Sequence, residues 1–178
     1  MSDFVPVKKF MAIGLPLSVV ATLLLAGCSI DGGVKTTNTP KEAGMTNTNS
    51  EFVSVTGSIG SAPVIGSPHG NPPTELFSRD LVPGSGAVVT PTSTLTVNYS
   101  LMTWSNGKIA DSSWTRGQPA VFPLANVIPG WQIGLPGMKV GGRRLLIIPP
   151  SLGYGGNGSG AVAPDETLIF VVDLLAVQ

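Results

Sequence analysis

One stretch decides the fold: Gly130-Trp131-Gln132-Ile133-Gly134-Leu135-Pro136-Gly137-Met138. It carries the one helical pattern in a region rich in strand signals. Trp131, Leu135 and Met138 fall near one face of a helix, as expected for a helix that packs on a sheet. Gly134 and Pro136 both disfavour a continuing helix. The sequence therefore predicts a single short helix over residues 130–138 with one apolar face.

Strand patterns lie on both sides of this helix. Leu95–Leu101 alternates apolar and polar residues, which is typical of a strand with one buried face. Arg144–Ile148 and Thr167–Val177 are rich in β-forming residues. Asn106-Gly107 predicts a two-residue hairpin turn, because both residues tolerate positive φ. Together these signals predict an α+β domain, a mostly antiparallel sheet with one helix packed on it.

The composition limits the possible partners and the size of the domain. Of the 178 residues only 11% are charged, and ten basic side chains balance ten acidic ones. A near-neutral chain offers no basic surface for nucleic acid, so no nucleic-acid partner is expected. Residues 74–178 are numerous enough for one compact core.

The N-terminus has the pattern of an export signal. Lys8-Lys9 precedes an apolar run, Phe10–Ala26, which has the length of a secretory signal core and is slightly short for a membrane span. The run ends at Leu25-Ala26-Gly27-Cys28, which resembles the lipobox of bacterial lipoproteins. The resemblance implies a signal peptide over residues 1–27 and a lipid on Cys28. An uncleaved transmembrane anchor is the alternative.

Both alternatives export the rest of the chain. Each buried CH₂ group of an acyl chain contributes about 0.8 kcal/mol of membrane affinity, so a lipid on Cys28 would hold the protein at a membrane. We expect a bacterial cell-envelope protein, anchored at the outer membrane or on the periplasmic face of the inner membrane. Ser29, rather than Asp, follows the cysteine and favours the outer membrane.

Residues 28–73 are predicted to form the lipidated cysteine and a flexible tether. Gly, Ser, Thr, Asn and Pro dominate this stretch, and such a composition buries too little apolar surface to offset the entropy of ordering. Phe52–Val55 alternates and is a candidate for a weakly paired strand. His69, the only histidine, is interpreted as a solvated loop residue. The folded domain is predicted to cover residues 74–178.

Several kinds of catalytic site are disfavoured by the residues present. A serine triad needs a histidine base, and the only histidine is His69 in the predicted tether. The only cysteine, Cys28, lies in the lipobox, and no His/Cys/Asp cluster has metal-ligand spacing. Gly153–Gly160 is glycine-rich but opens no helix of the dinucleotide-binding type, so we interpret it as a flap. We therefore expect no cofactor and no metal.

Six short motifs follow one another along residues 81–177. They are Leu81–Gly86, Val97–Ser100, Gly107–Ser113, Val127–Trp131, Met138–Gly142 and Ile148–Gly155. In this order and at this spacing they resemble the FKBP-type peptidyl-prolyl isomerases. The resemblance implies a five- or six-stranded antiparallel sheet wrapped around one short helix, with a pocket between them. It also implies an enzyme that interconverts the cis and trans isomers of prolyl peptide bonds.

The resemblance further implies which residues form the pocket. Those expected to act on the prolyl bond are Asp111, Tyr154 and Trp131. Those expected to bind the substrate are Tyr99, Phe122, Val127, Ile128, Val162 and Phe170. Trp131 would be the floor under the proline ring, Tyr154 and the backbone N–H of Ile128 would donate to substrate carbonyls, and Asp111 would orient the site beside Tyr99.

Each assigned role has a structural alternative. Trp131 is also explained as a core residue at the helix, Tyr154 as a loop residue with a solvated hydroxyl, and Asp111 as a cap for the turn at Ser112 and Ser113. The expected catalysis needs no nucleophile. A twisted prolyl amide is less polar than a planar one, so a dry aromatic pocket binds the transition state better than the ground state.

Two positions depart from the family pattern. Ala110 stands where most members have Phe, and Ala120 stands where another aromatic residue is common, so turnover and affinity for macrolide inhibitors are both expected to be reduced. Trp114 is a candidate to fill part of the gap. The expected clients are proline-containing segments of unfolded or folding envelope proteins. Two alternatives stay open: a catalytically weak chaperone or binding module with the same fold, and a surface interaction lipoprotein.

Overall fold

The structure, a computed structural model, describes residues 48–178. The predicted signal peptide and the lipidation site Cys28 lie outside the described residues. Within residues 48–178, every helix is too short or too polar to span a lipid bilayer.

Strands account for most of the regular structure in the described part of the chain. They are β1 (Thr48–Asn49), β2 (Ser54–Thr56), β3 (Val64–Ile65), β4 (Phe77–Val82), β5 (Thr94–Thr103), β6 (Ile109–Ser112), β7 (Ala120–Pro123), β8 (Arg143–Ile148) and β9 (Leu168–Val177). Six of them form the main sheet in the order β4-β8-β9-β5-β6, and β7 also pairs with β5. All these pairings are antiparallel, which confirms the predicted sheet.

The predicted helix is present but shorter than expected. It is α2 (Pro129–Gly134), which has a proline in its first turn, where a missing N–H costs little. Beyond Gly134 the chain turns, and Gly137 has φ 81°. Leu135 and Met138 therefore lie after the helix, although both are buried in the core with Trp131.

Two further kinds of short helix were not anticipated. The helix α1 (Ser113–Arg116) begins at Ser112, whose side chain accepts a hydrogen bond from the N–H of Trp114, and it ends at Gly117 with φ 72°. Single 3-10 turns occur at Leu124–Asn126, Pro150–Leu152 and Gly155–Asn157.

The helix α2 packs on β8 at very short range. A Cβ on Gly130 would lie 2.4 Å from the Ile148 side chain, and one on Gly134 would lie 2.8 Å from the Leu146 side chain. Gly130 therefore leaves no room for a side chain, whereas at Gly134 only the flexible end of Leu146 would have to shift. The close approach puts the Trp131 side of α2 into the main apolar core between helix and sheet.

A second apolar core on the other face of the sheet corrects the predicted tether. Its buried residues are Val53, Val55, Ile65, Leu81, Met102, Leu145, Ile147, Ile169 and Val171. The first three belong to the stretch predicted to be a flexible tether, which instead forms the three-stranded sheet β1-β2-β3 in residues 48–65. The tether prediction was wrong for residues 48–65 because their few apolar side chains join a core with residues of β4, β5, β8 and β9, far along the chain. The candidate strand at Phe52–Val55 is present in part as β2.

The hairpin between β5 and β6 is longer at its tip than the predicted two-residue turn. The N–H of Thr103 donates to the carbonyl of Lys108 at 3.0 Å, so four residues form the loop. The side chain of Asn106 accepts from the Thr103 hydroxyl at 2.7 Å and from the Lys108 N–H at 2.8 Å. This side-chain pairing with the backbone stabilises the wider loop.

Candidate active site

A cavity of about 260 Å³ opens between α2 and the main sheet. Its lining residues are Tyr99, Leu101, Asp111, Phe122, Asn126, Val127, Ile128, Trp131, Tyr154 and Phe170. They come from β5, β6, β7, the 3-10 turn at Leu124–Asn126, the residues that lead from it into α2, β9 and the flap, which we define as residues 149–162. The cavity is therefore assembled from segments spread over most of the folded domain.

Trp131 is the centre of the aromatic wall. Its ring meets Phe170 at 5.3 Å between centroids, Phe122 at 5.8 Å and Tyr99 at 5.8 Å, each time edge to face. The residue is 3% exposed. Edge-to-face pairs of this kind add roughly 0.5–1.5 kcal/mol each beyond the burial of their area, so the indole is held in one orientation from three sides.

The indole nitrogen of Trp131 is unusual for a buried polar atom. It is out of contact with solvent and has no hydrogen-bond partner within residues 48–178. A buried donor normally finds an acceptor. The indole is therefore held in place by packing against the neighbouring rings and not by a hydrogen bond.

The cavity also has a polar side, which is organised by three residues, one of them Tyr99. The hydroxyl of Tyr99 donates to Oδ2 of Asp111, and the guanidinium of Arg116 donates to Oδ1 of the same carboxylate. Arg116 also donates to the Tyr99 hydroxyl oxygen at 2.9 Å and stacks over the Tyr99 ring, 5.4 Å from its centroid. The three side chains form a closed ring of charge-assisted contacts.

Local structure places these three groups. Asp111 is near the end of β6, opposite Leu101 of β5, and α1 brings Arg116 back over the strand. Ser113, which is fully buried, accepts from the N–H of Tyr99 at 2.9 Å and donates to the side chain of Asn98 at 3.0 Å. Ser113, which belongs to the turn that Asp111 was predicted to cap, thus ties α1 to β5.

The contacts among Tyr99, Asp111 and Arg116 determine the charge states of the Asp111 carboxyl and the Tyr99 hydroxyl. Burial alone pushes the pKa of Asp111 upward, but the hydrogen bonds from Tyr99 and Arg116 and the charge of Arg116 outweigh burial and hold that pKa below its ordinary value. Burial, reinforced by the Asp111 carboxylate, raises the pKa of the Tyr99 hydroxyl. At neutral pH Asp111 is therefore an anion and Tyr99 is a neutral donor.

Tyr154 reaches the cavity from the flap. It precedes the 3-10 turn at Gly155–Asn157, and the N–H of Asp165 donates to the carbonyl of Gly155 at 2.9 Å, which fastens this part of the flap. Burial and the charge of Asp111 both raise the pKa of the Tyr154 hydroxyl. Like Tyr99, it is a neutral hydrogen-bond donor at physiological pH.

Most of the residues predicted for the site lie together in this cavity. The ones that line it are Tyr99, Asp111, Phe122, Val127, Ile128, Trp131, Tyr154 and Phe170. Val162 is buried in the same core but is not one of the lining residues. Sequence reasoning missed Leu101, Asn126 and Arg116. The period of two along β5 places Leu101 on the same face as Tyr99, so that residue was detectable.

The two alanines that depart from the family pattern lie next to the cavity. Ala110 and Ala120 are partly buried and pack against the core that contains Trp131. Trp114 is absent from the cavity lining. It borders a separate depression with Asn98, Gln118 and other residues, so it does not replace the missing rings.

Comparison with known proteins agrees with this geometry. The profile of the family described as FKBP-type peptidyl-prolyl cis-trans isomerase matches residues 86–175. The probable FK506-binding protein of Corynebacterium glutamicum is 46% identical over 114 residues, which cover 64% of this chain and 97% of that protein. The FK506-binding protein of Streptomyces anulatus is 49% identical over 119 residues, which cover 65% of this chain and 96% of that protein.

A solved structure of an FkpA protein is similar to this chain in both fold and sequence. FkpA from Escherichia coli superimposes with a TM-score of 0.55 at 42% identity, over 58% of this chain and 48% of that one. The sheet packed around α2, with an aromatic cavity between them, is the arrangement expected of a prolyl isomerase, and the family model gives the same class. The chain belongs to the family of FKBP-type peptidyl-prolyl cis-trans isomerases. The predicted fold, activity and class of substrate, proline-containing polypeptides, are thereby confirmed.

Proposed function

We propose that this isomerase works by receiving the prolyl ring against Trp131 and by stabilising the twisted amide in the aromatic cavity. Rotation about a peptide bond has a barrier of ~18–20 kcal/mol because it breaks amide resonance. The twisted amide is less polar than the planar one, so removal of water favours it. The proposed step makes and breaks no covalent bond.

The observation that carries this mechanism is the position of Trp131 in the cavity. Three rings hold the indole edge-on, and the cavity next to it is lined mainly by apolar side chains. A pyrrolidine ring has no N–H and needs no hydrogen bond, so it fits an apolar floor. Phe122, Val127 and Phe170 would be the walls around it.

The polar side of the cavity supplies the proposed contacts to the rotating amide. Tyr154 is a neutral donor on the flap and would bind one substrate carbonyl, while the backbone N–H of Ile128 at the start of α2 would bind another. Asp111, held by Tyr99 and Arg116, would act on the twisting carbonyl through its field. Tyr99 and Arg116 hold the Asp111 carboxylate in place before the substrate arrives, and transition-state stabilisation relies on such preorganised groups.

A proline-limited refolding assay tests this mechanism. We expect catalysis by the wild-type chain and a loss of at least tenfold in kcat/KM for Trp131→Ala, because the floor of the site is removed. Trp114→Phe is the matched control, since Trp114 lies outside the cavity. Binding of unfolded clients without rate enhancement would instead favour the chaperone module, for which the small residues Ala110 and Ala120 are the support.

The cellular setting is a second part of the proposal. We infer that residues 1–27 are a signal peptide, that Cys28 carries the lipid, and that the isomerase serves exported proteins in the bacterial envelope. Support comes from the apolar run and from Leu25-Ala26-Gly27-Cys28 in the sequence. Cys28 then precedes the first described strand, at Thr48, by 20 residues. Mass spectrometry of the N-terminal peptide, with Cys28→Ser as control, tests this inference.

The names of two relatives, both FK506-binding proteins, support a proposal on ligand binding by this chain. We propose that FK506 occupies the same aromatic cavity, with an affinity reduced by the small side chains at Ala110 and Ala120. Competition between FK506 and a prolyl peptide, measured by calorimetry, tests whether the two share one site. FK506 binding that leaves peptide binding unchanged would contradict a shared site.

A further inference from the structure

Two adjacent arginines of β8 hold different parts of the molecule. Arg143 and Arg144 are both buried, with relative exposures of 1% and 9%. Successive side chains of a strand point to opposite faces of the sheet. Arg144 reaches toward α2, whereas Arg143 reaches toward the segment that contains β2 and β3.

Arg144 joins an edge strand to the end of the helix. Its Nε and Nη2 donate to the two carboxylate oxygens of Asp80 on β4, at 2.6 and 3.0 Å. Its Nη1 donates to the carbonyl of Gly134 at 2.7 Å and, more weakly, to that of Pro136 at 3.4 Å. The planar guanidinium thus donates to a carbonyl that has no partner within α2, and the Ser78 hydroxyl donates to the same carbonyl at the longer distance of 3.4 Å.

This contact bears directly on the orientation of Trp131. The helix α2 has only six residues and would not persist alone in water. Gly134 is its last residue, one turn after Trp131, and the carbonyl of Trp131 accepts from the N–H of Leu135 at 3.0 Å. A shift of the Gly134 end therefore moves the indole against the three rings around it.

We propose that Arg144, braced by Asp80, is a positioning residue of the prolyl site. It anchors the C-terminal end of α2 to the sheet and so fixes the plane of the Trp131 indole relative to Tyr99, Phe122 and Phe170. The inference rests on the proposed role of Trp131 as the floor of the site. The effect on the reaction passes through the helix, since Arg144 is not among the residues that line the cavity.

Arg143 provides a matched control on the same strand. Its guanidinium makes a two-point contact with Asp173 at 2.5 and 2.7 Å and donates to the carbonyls of Gly57 at 3.0 Å and Ser61 at 2.6 Å. Removal of Arg143 leaves the buried carboxylate of Asp173 without its partner, and removal of Arg144 takes a donor from the carbonyl of Gly134, so both substitutions destabilise the fold. Only Arg144 is connected to α2.

The test compares Arg144→Met with Arg143→Met, in the full chain, at a temperature where circular dichroism shows both to be folded. We expect kcat/KM per folded molecule to fall about tenfold in Arg144→Met, as displacement of a binding group does, and to stay unchanged in Arg143→Met. The NMR resonance of the Trp131 indole N–H, assigned through Trp131→Phe, should move in the first variant and not in the second.

Further variants keep the inference testable if Arg144→Met does not fold. Arg144→Lys keeps a positive charge, but the ammonium group cannot bridge Asp80 and Gly134 as the planar guanidinium does. Asp80→Asn weakens the ion pair that holds Arg144, at a more exposed position. Both should lower kcat/KM and move the indole resonance, by less than Arg144→Met. Full activity with an unmoved resonance in all folded variants would overturn the inference.

The outcomes also separate this inference from the mechanism it rests on. If Trp131→Ala retains full activity, the floor role fails, whatever the arginine variants do. If Trp131→Ala is inactive while the Arg144 variants match wild type in activity and indole resonance, the floor role holds and the positioning role fails.

Discussion

The indole of Trp131 and the ring of Phe170 meet edge to face, with centroids 5.3 Å apart and planes inclined by 80°. Phe170 belongs to β9 in the middle of the sheet, and Trp131 belongs to α2 on top of it. The contact therefore joins the two layers of the domain at the point where the substrate is proposed to bind. Stability and catalysis share these side chains.

The carboxylate of Asp111 should be needed for activity as an anion. In Asp111→Asn the acceptor for Tyr99 and Arg116 is weakened, so we expect kcat/KM to fall roughly tenfold while the fold is retained. Asp165→Asn is the control, because Asp165 lies after the flap and outside the cavity lining, and asparagine tolerates its φ of 54°. Equal activity of both variants and wild type in the refolding assay would rule out a role for Asp111.

The pH dependence of stability should reveal the same carboxylate. The pKa of Asp111 is lowered in the folded state, so its contribution is present above the unfolded value, about 3.9, and is lost as pH falls through the lower folded value. Urea unfolding of wild type and Asp111→Asn should therefore differ at pH 6 and converge at strongly acidic pH. A difference in stability that grows on acidification would contradict the assigned direction.

Restoring one aromatic ring should strengthen inhibitor binding. Ala110→Phe adds a large apolar side chain beside the cavity, and burial of such a side chain is worth about 1.5–3 kcal/mol. We expect the Kd for FK506 to fall by about tenfold or more in calorimetry. Val121→Phe, at a position 60% exposed on β7, adds the same ring away from the core and should leave Kd unchanged. Unaltered affinity in Ala110→Phe would show that the alanine does not limit binding.

The segment from residue 48 to residue 66 should stabilise the domain. Val53 is fully buried against the back of the sheet, so Val53→Ala should lower the free energy of unfolding by roughly 2 kcal/mol. Ile59→Ser, at a position 41% exposed, is the control and should change it little. A chain that begins at residue 74 should show a clearly lower Tm than one that begins at residue 48. Equal Tm values would restore the tether interpretation for this segment.

Local patterns explain why much of the fold could be predicted. Alternation along Leu95–Leu101 identified β5, and Gly134 with Pro136 correctly limited the helix. The motifs around Asp111, Trp131 and Tyr154 predicted residues that line one cavity, because each motif lies in a short continuous stretch. What the sequence did not show was how segments distant from one another pair.

The errors share one physical cause. Residues 48–65 were predicted to be a tether because their own composition has little apolar content, yet Val53 and Ile65 are buried against side chains of β8 and β9. Arg116 was missed because its guanidinium reaches Asp111 and Tyr99 only through the turn of α1. The composition of a segment does not show which distant residues will pack against it, and those residues determine whether its side chains are buried.

The most direct test of the central claim is to observe the substrate proline on the indole. A proline-containing peptide is titrated with the chain, and the chemical shifts of its prolyl ring protons are followed by NMR. We predict an upfield shift of these protons, from the ring current of Trp131, that disappears in Trp131→Ala and persists in Trp114→Phe. Prolyl protons that bind without an upfield shift, or that keep it in Trp131→Ala, would contradict the proposed mechanism.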